Sequence, residues 1–293
     1  MAERVGFVGV GLMGHGMARN ILAKGHPLTV IAHRRREAVE ALVAEGAVEA
    51  RTLAELAGRS DAVVLCLTGS PQVEEAVEGL WPALREGMAV VDCSTSDPVS
   101  TDRLGARLRA RGVAFVDAPL SRTPKDAWEG TLDVMVGGED AAVARVEPVL
   151  RCFAGRIVRV GGPGTGHRMK LLNNFLSLGY GALYAEALAL SRKVGIAVER
   201  FDAVVRDGRM DCGFYRTFMG HALEGNREAH RFTLANAYKD LRYLEGMANA
   251  DGVPTGVASA VKNSYAEAVA AGGGGPEDYV PHLADFVARR SGA

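Results

Sequence analysis

RVGFVGVGLMGHGMARN, residues 4–20, is the stretch on which the fold turns. An apolar run at 4–10 leads at once into G-x-G-x-x-G at Gly9, Gly11 and Gly14, with Leu12 and Met13 inside the turn, and then into a helical pattern over GLMGHGMARNILAKG (11–25). With 36 glycines in the chain the pattern alone arises by chance; its place between a strand and a helix, at the head of a βαβ unit, gives it meaning. Gly9 lets the chain turn sharply, Gly11 lets the backbone approach a pyrophosphate, and Gly14 lets helix and strand pack. The helix start offers amide groups to the phosphates. A dinucleotide site is expected here.

The same rhythm continues outward. PLTVIA (27–32), DAVVLCL (61–67), MAVVDC (88–93), VAFVDA (113–118), LDVMVGG (132–138) and RIVRV (156–160) read as short strands buried on both faces. REAVEALVAEG (36–46) and SPQVEEAVEGLWPALREG (70–87) repeat apolar residues at three-to-four spacing and stop at glycine. Strand alternating with helix predicts a doubly wound, mostly parallel sheet of the α/β class. After GGPGTG (161–166) the pattern becomes helical throughout, with a long helix over 167–194 and further segments at 197–206, 213–224, 233–251, 255–271 and 276–290. Two domains are therefore expected, 1–162 binding the nucleotide and 163–293 all-helical and serving substrate and oligomer contacts. The long helix then begins at the domain boundary, where ligands tend to bind.

Composition narrows the partners. Lys plus Arg (34) nearly balance Asp plus Glu (35), which leaves no global charge for nucleic acid or an anionic membrane. No leader peptide and no run of 18 apolar residues is read from the sequence. Cys66, Cys93, Cys152 and Cys212 lack C-x-x-C spacing and read as reduced thiols of a cytoplasmic protein. The seven histidines show no H-x-x-x-H spacing, so no metal centre is expected.

Two further patterns carry chemistry. The second strand ends in Ala32-His33-Arg34-Arg35-Arg36, with no carboxylate before Glu37. An acidic residue there would take a free ribose 2′-hydroxyl, whereas guanidinium forks suit a 2′-phosphate. NADP(H) is thus preferred over NAD(H), with Arg34 and then Arg35 as the phosphate partners. Lys170 and Asn174 lie four apart on the long helix and so share one face. An ammonium there can hydrogen-bond a carbonyl oxygen as negative charge develops and hand it a proton, while the amide holds substrate or lysine.

GFVGVGLMGHGMARNIL, VVDCSTSDP, VDAPLSRTPKDAWEGTLDVMVGG, GPGTGHRMKLLNNF and AYKDLRYL, in this order along essentially the whole chain, resemble the β-hydroxyacid dehydrogenase family, which includes the 3-hydroxyisobutyrate dehydrogenases. The resemblance implies a Rossmann domain followed by an all-α domain, and a homodimer or homotetramer with the long helix in its interface. It implies that Lys170 is the catalytic acid and base and that Ser121 and Asn174 position a small anionic substrate. It also implies that Thr95 lies beside the nicotinamide, that Lys239 reaches cofactor or substrate, and that Asp240 orients its neighbours.

One loop departs from the family. Where relatives write Ser-Gly-Gly, this chain has Ser121-Arg122-Thr123, so side chains with restricted φ are expected to replace a backbone cradle for a carboxylate. Arg122 would then offer a guanidinium fork and Thr123 a hydroxyl, in a loop that resembles the sulfolactaldehyde reductases. A short carboxylate semialdehyde and a sulfonate both stand as substrates. Imine reductases share the architecture but usually lack the lysine, and a non-catalytic nucleotide-binding scaffold would be expected to have lost it.

Overall fold

The computed structural model describes residues 2–33 and 36–292. Contacts divide the chain into two compact units, Met1–Lys170 and Leu171–Ala293.

The first unit alternates strands and helices: β1 (Val5–Val8), α1 (Gly14–Ala23), β2 (Leu28–Ile31), α2 (Glu37–Ala44), β3 (Val48–Ala50), α3 (Leu53–Gly58), β4 (Ala62–Leu65), α4 (Ser70–Leu80), β5 (Ala89–Asp92), α5 (Pro98–Ala110), β6 (Ala114–Asp117), β7 (Leu120–Ser121), α6 (Pro124–Glu129), β8 (Leu132–Gly137), α7 (Asp140–Leu150) and β9 (Ala154–Gly161). The sheet runs β3-β2-β1-β4-β5-β6-β8-β7, with β9 paired to β8. Strands β1 to β6 pair in parallel, and β8 runs antiparallel to β6 and β7. All seven expected strands are present. The short β3 and β7 add to them, too brief to show a period.

Period-two alternation explains why the strands read as unbroken apolar runs. In β4, Ala62 and Val64 enter the core on one face, with Phe7, Val30 and Val91. Val63 and Leu65 enter the core on the other, with Val8, Val90 and Phe115. Burying each such side chain contributes roughly 1.5–3 kcal/mol, so both faces need helices over them.

Register then fixes what happens at one edge. Val8 pairs with Leu65, Leu65 with Asp92 and Asp92 with Asp117, so β1, β4, β5 and β6 end in one row. The connections that follow these strands all leave from that edge.

The second unit is helical. α8 (Thr165–Lys193) starts in the first unit and runs on through the second, followed by α9 (Val198–Val205), α10 (Gly213–Glu224), α11 (Leu234–Ala250), α12 (Gly256–Ala270) and α13 (Leu283–Ser291). The last helix begins later than the expected 276, because Pro281 lies in a 3-10 turn, Val280–His282, that precedes it. The core joins Leu178, Ala185 and Leu188 of α8 to Tyr215, Phe218, Leu241 and Tyr265. The Tyr265 hydroxyl is satisfied by donating to the Leu178 carbonyl (3.0 Å). Among the described residues no helix is long and apolar enough to cross a membrane.

Candidate active site

The glycine-rich turn separates into fold and function. Gly9 has φ +102°, and a Cβ built on it would land on the Cys66 carbonyl; a Cβ on Gly14 would land on the Gly9 carbonyl. The protein itself demands these two. At Gly11 a Cβ would meet nothing within 4 Å. A side chain is affordable there unless something outside the chain needs the space, which is what a pyrophosphate laid on the backbone requires. Leu12 and Gly11 are exposed, Met13 is half-buried, and α1 begins without a side-chain cap, leaving its first amides for an anion. The residues present therefore fit a dinucleotide.

At the end of β2, Arg34 and Arg35 lie outside the described residues. Arg36 is engaged by Glu40 (3.2 Å) and Glu49 (3.0 Å).

Thr95 follows β5 in a loop shaped by Asp92. The Asp92 carboxylate, buried, accepts from the Ser94 amide (2.9 Å) and the Ser96 hydroxyl (2.7 Å), while the Ser94 hydroxyl accepts from the Leu67 amide (2.9 Å). The loops after β4 and β5 are thereby tied together, with Thr95 half-buried between the two serines.

The substrate loop corrects one expectation. Arg122 has φ +88°, the conformation that favours glycine. The side chain has not forced the backbone out of a glycine-type conformation, and the Thr123 amide that follows donates to the Asp126 carboxylate (3.1 Å). The guanidinium is instead anchored from outside the turn, with Nε 3.0 Å from Asp133 and Nη1 3.5 Å from Asp126, and the pair with Asp133 above all raises the Arg122 pKa. The Thr123 hydroxyl caps α6, donating to the Asp126 carboxylate and accepting from its amide. Burial alone would raise the Asp126 carboxyl, but the Thr123, Thr131 and Arg122 hydrogen bonds outweigh it and hold the group below its ordinary value. Ser121 is half-buried in β7, paired with Asp133 of β8.

Lys170 is half-buried one turn into α8. The start of that helix is fixed to the sheet edge by two groups the sequence reading passed over, Asp117 and His167. The Asp117 carboxylate accepts from the Gly164 amide (2.7 Å) and the His167 amide (2.9 Å). The first unit thus brings together Gly9–Gly14, Thr95, Ser121–Thr123 and the root of Lys170 at one sheet edge. A sequence signal existed: both VVD and FVD end an apolar strand on an aspartate.

In the second unit, Asn174 is buried and its Nδ2 donates to Asp240 (2.7 Å), so the amide's orientation is set and Oδ1 becomes its other face. Lys239 lies 3.2 Å from the other Asp240 oxygen, with its ammonium 5.5 Å from the Tyr243 ring centre. Asp240 thus hydrogen-bonds Asn174 through one oxygen and faces Lys239 with the other.

Comparison with known proteins matches two family models: the NAD binding domain of 6-phosphogluconate dehydrogenase over residues 4–162, and NAD-binding of NADP-dependent 3-hydroxyisobutyrate dehydrogenase over residues 164–283. The chain is 32% identical over 273 residues to 3-sulfolactaldehyde reductase of Escherichia coli K12, covering 92% of this chain and 91% of that protein. It is 31% identical over 271 residues to mitochondrial 3-hydroxyisobutyrate dehydrogenase of Drosophila melanogaster, covering 90% and 83%. Among solved structures, Mycobacterium tuberculosis 3-hydroxyisobutyrate dehydrogenase with L-serine superposes with a TM-score of 0.86 at 26% identity, covering 96% of this chain and 99% of that one.

Proposed function

The chain belongs to the β-hydroxyacid dehydrogenase family of NAD(P)-dependent oxidoreductases, and from that premise we propose that it interconverts a short anionic β-hydroxyacid and its semialdehyde, with Lys170 as general acid and base and NADP(H) as the preferred cofactor. Support for the lysine comes above all from Asp117, which roots the Lys170 helix at the edge where the glycine-rich turn emerges.

When bound, the nicotinamide supplies or accepts the hydride. Gly9 and Gly14 shape the turn in which Gly11, Leu12 and Met13 would hold the pyrophosphate, Thr95 and Lys239 would contact the cofactor, and Arg34 and Arg35 would take the 2′-phosphate. As the carbonyl carbon gains a hydride, the Lys170 ammonium gives a proton to the oxygen; in the oxidation the neutral amine takes it back. Asn174, its amide set by Asp240, presents Oδ1 as an acceptor for the ammonium or the substrate hydroxyl.

Ser121, Arg122 and Thr123 hold the substrate's anion. The glycine-like φ of Arg122 keeps the turn as a glycine would, and its guanidinium is engaged by two carboxylates, which together favour a short carboxylate. A sulfonate is the second reading, supported by the arginine in this loop and by the similarity to the Escherichia coli reductase.

The exposed face of α8 supports a homo-oligomer. Leu176, Leu183 and Leu190, 61%, 62% and 64% exposed, recur at seven-residue spacing, flanked by exposed Tyr180 and Val194, a pattern that suits a facing helix from a second copy. Leu183→Glu should convert a dimer or tetramer to smaller species on light-scattering chromatography. The four cysteines are free thiols, which fits the proposed cytoplasmic setting.

The deciding experiment follows NADPH oxidation with short semialdehydes bearing a carboxylate or a sulfonate. Lys170→Ala should lower turnover by orders of magnitude and leave NADPH binding intact; full turnover in that variant would overturn the proton-donor assignment. Arg34→Asp with Arg35→Ser should shift preference toward NADH, and an unchanged ratio would place the phosphate elsewhere.

A further inference from the structure

Strands β5 and β6 both end on an aspartate, and the chemistry proposed above uses neither. Asp92 is 1% and Asp117 0% exposed, and a carboxylate persists in such a place only with its oxygens hydrogen-bonded. Asp117 draws its two partners from the root of α8. The His167 amide belongs to the first turn, where a helix leaves its amides unpartnered, and the negative charge sits at the positive end of the helix dipole. The Gly164 amide immediately precedes that turn.

The docking is close as well as hydrogen-bonded. A Cβ on Gly166 would lie 2.6 Å from the carbonyl oxygens of Asp117 and Met135, and one on Gly137 would lie 2.7 Å from the Gly166 amide nitrogen. No side chain fits between helix and strand ends.

Asp92 reaches the same turn through a side chain. The buried His167 ring has Nδ1 2.7 Å from the Thr101 hydroxyl, which also lies 3.1 Å from the Asp97 carbonyl. The carboxylate on the far side of the ring favours the proton on Nε2, with Nδ1 accepting from Thr101. Nε2 makes no hydrogen bond and faces Asp92 Oδ2 at 3.6 Å. The carboxylate that shapes the Thr95 loop thus also faces the first turn of the lysine helix.

We propose that Asp117, together with Asp92 acting through the His167 ring, is a positioning residue for Lys170: the two strand-end carboxylates set the direction in which α8 leaves the sheet and hence the reach of the ammonium one turn on. This role presupposes that Lys170 is the proton donor proposed above. Proton transfer is sensitive to such placement, since a misplacement of about 1 Å can cost on the order of 100-fold.

Asp117→Asn tests it. The amide nearly matches the carboxylate in shape but turns one acceptor into a donor against a backbone N–H. Turnover is measured per NADPH-binding site, so that loss of folded protein drops out. The expected result is a fall in kcat of about 10- to 100-fold, with NADPH affinity changed less than about twofold. The solvent isotope effect on kcat should rise as proton transfer becomes limiting, and amide exchange at Gly164 and His167 should quicken in the absence of substrate. Should Asp117→Asn not fold, Thr101→Val and His167→Gln loosen the same turn through the ring, and a smaller fall in kcat with the same rise in isotope effect is expected. A folded variant with quickened exchange but parental kcat and isotope effect overturns the positioning role. Lys170→Ala run alongside separates the failures. If that variant keeps its turnover, the lysine assignment is wrong; if it is inactive while the Asp117 variant is not impaired, only the positioning role falls.

Discussion

Replacing Gly11 by alanine adds a methyl group where no atom beyond the adjoining residues lies within 4 Å, at a residue whose φ is not left-handed. The folded state gains no clash, and the unfolded chain loses freedom, so stability should rise by about 0.4–1 kcal/mol. The same methyl stands where a pyrophosphate would lie on the backbone. Losing one charge-assisted hydrogen bond of about 1.5–3 kcal/mol would weaken NADPH binding by roughly 10- to 100-fold. Gly14→Ala behaves in the opposite sense: its methyl would fall on the Gly9 carbonyl and lie 3.0 Å from the Phe7 ring. Overpacking of that kind costs about 1–3 kcal/mol, or about 2–4 °C of melting temperature for each kcal/mol. Thermal melts and NADPH fluorescence titrations on both variants measure the two effects separately. A Gly11→Ala protein that binds NADPH as tightly as its parent would refute the cradle, whatever its stability.

Three further outcomes follow from the same geometry. Arg122→Gly keeps a backbone conformation that glycine favours, so it should fold normally and raise KM roughly tenfold for a sulfonate aldehyde but much less for a carboxylate one; equal changes for the two would argue against a backbone cradle. Asp240→Asn should let the Asn174 amide turn, and kcat should fall by about tenfold in steady-state assays, the net worth of about one hydrogen bond to a charged group. The Asp61 carboxyl is held at about 2, chiefly by its hydrogen bond from the Arg4 guanidinium. A depressed carboxylate contributes stability that is complete above its ordinary pKa and is lost as pH falls through the folded value. Urea midpoints should therefore drop between about pH 4 and pH 2 in the parent and less steeply in Asp61→Asn; parallel curves would exclude this pair as a source of acid sensitivity.

The strands were legible because burial on both faces leaves no polar alternation, and the helical half because its apolar residues keep one period over long stretches. Short elements escaped for want of length, β3 and β7 among them. α6 did carry a readable start: Thr123, Pro124 and Asp126 spell a capping box, a role that a hydroxyl beside an arginine does not announce because the same pair also suits an anion. Arg122 shows the limit of inference from residue type. A non-glycine side chain predicts a backbone away from positive φ, whereas Arg122 adopts it with its guanidinium paired to Asp126 and to Asp133, the second of them eleven residues along the chain.

By itself the sequence determined the βαβ start, the change from alternating to helical architecture, and the spacing that puts Lys170 and Asn174 on one helical face, since each depends on neighbours close along the chain. Tertiary structure decided what the lysine helix is fastened to. Asp92 and Asp117 are 25 residues apart in sequence, and only parallel register sets them side by side beneath His167. A buried carboxylate needs partners wherever the fold can supply them, and no periodicity along the chain records which partners those are.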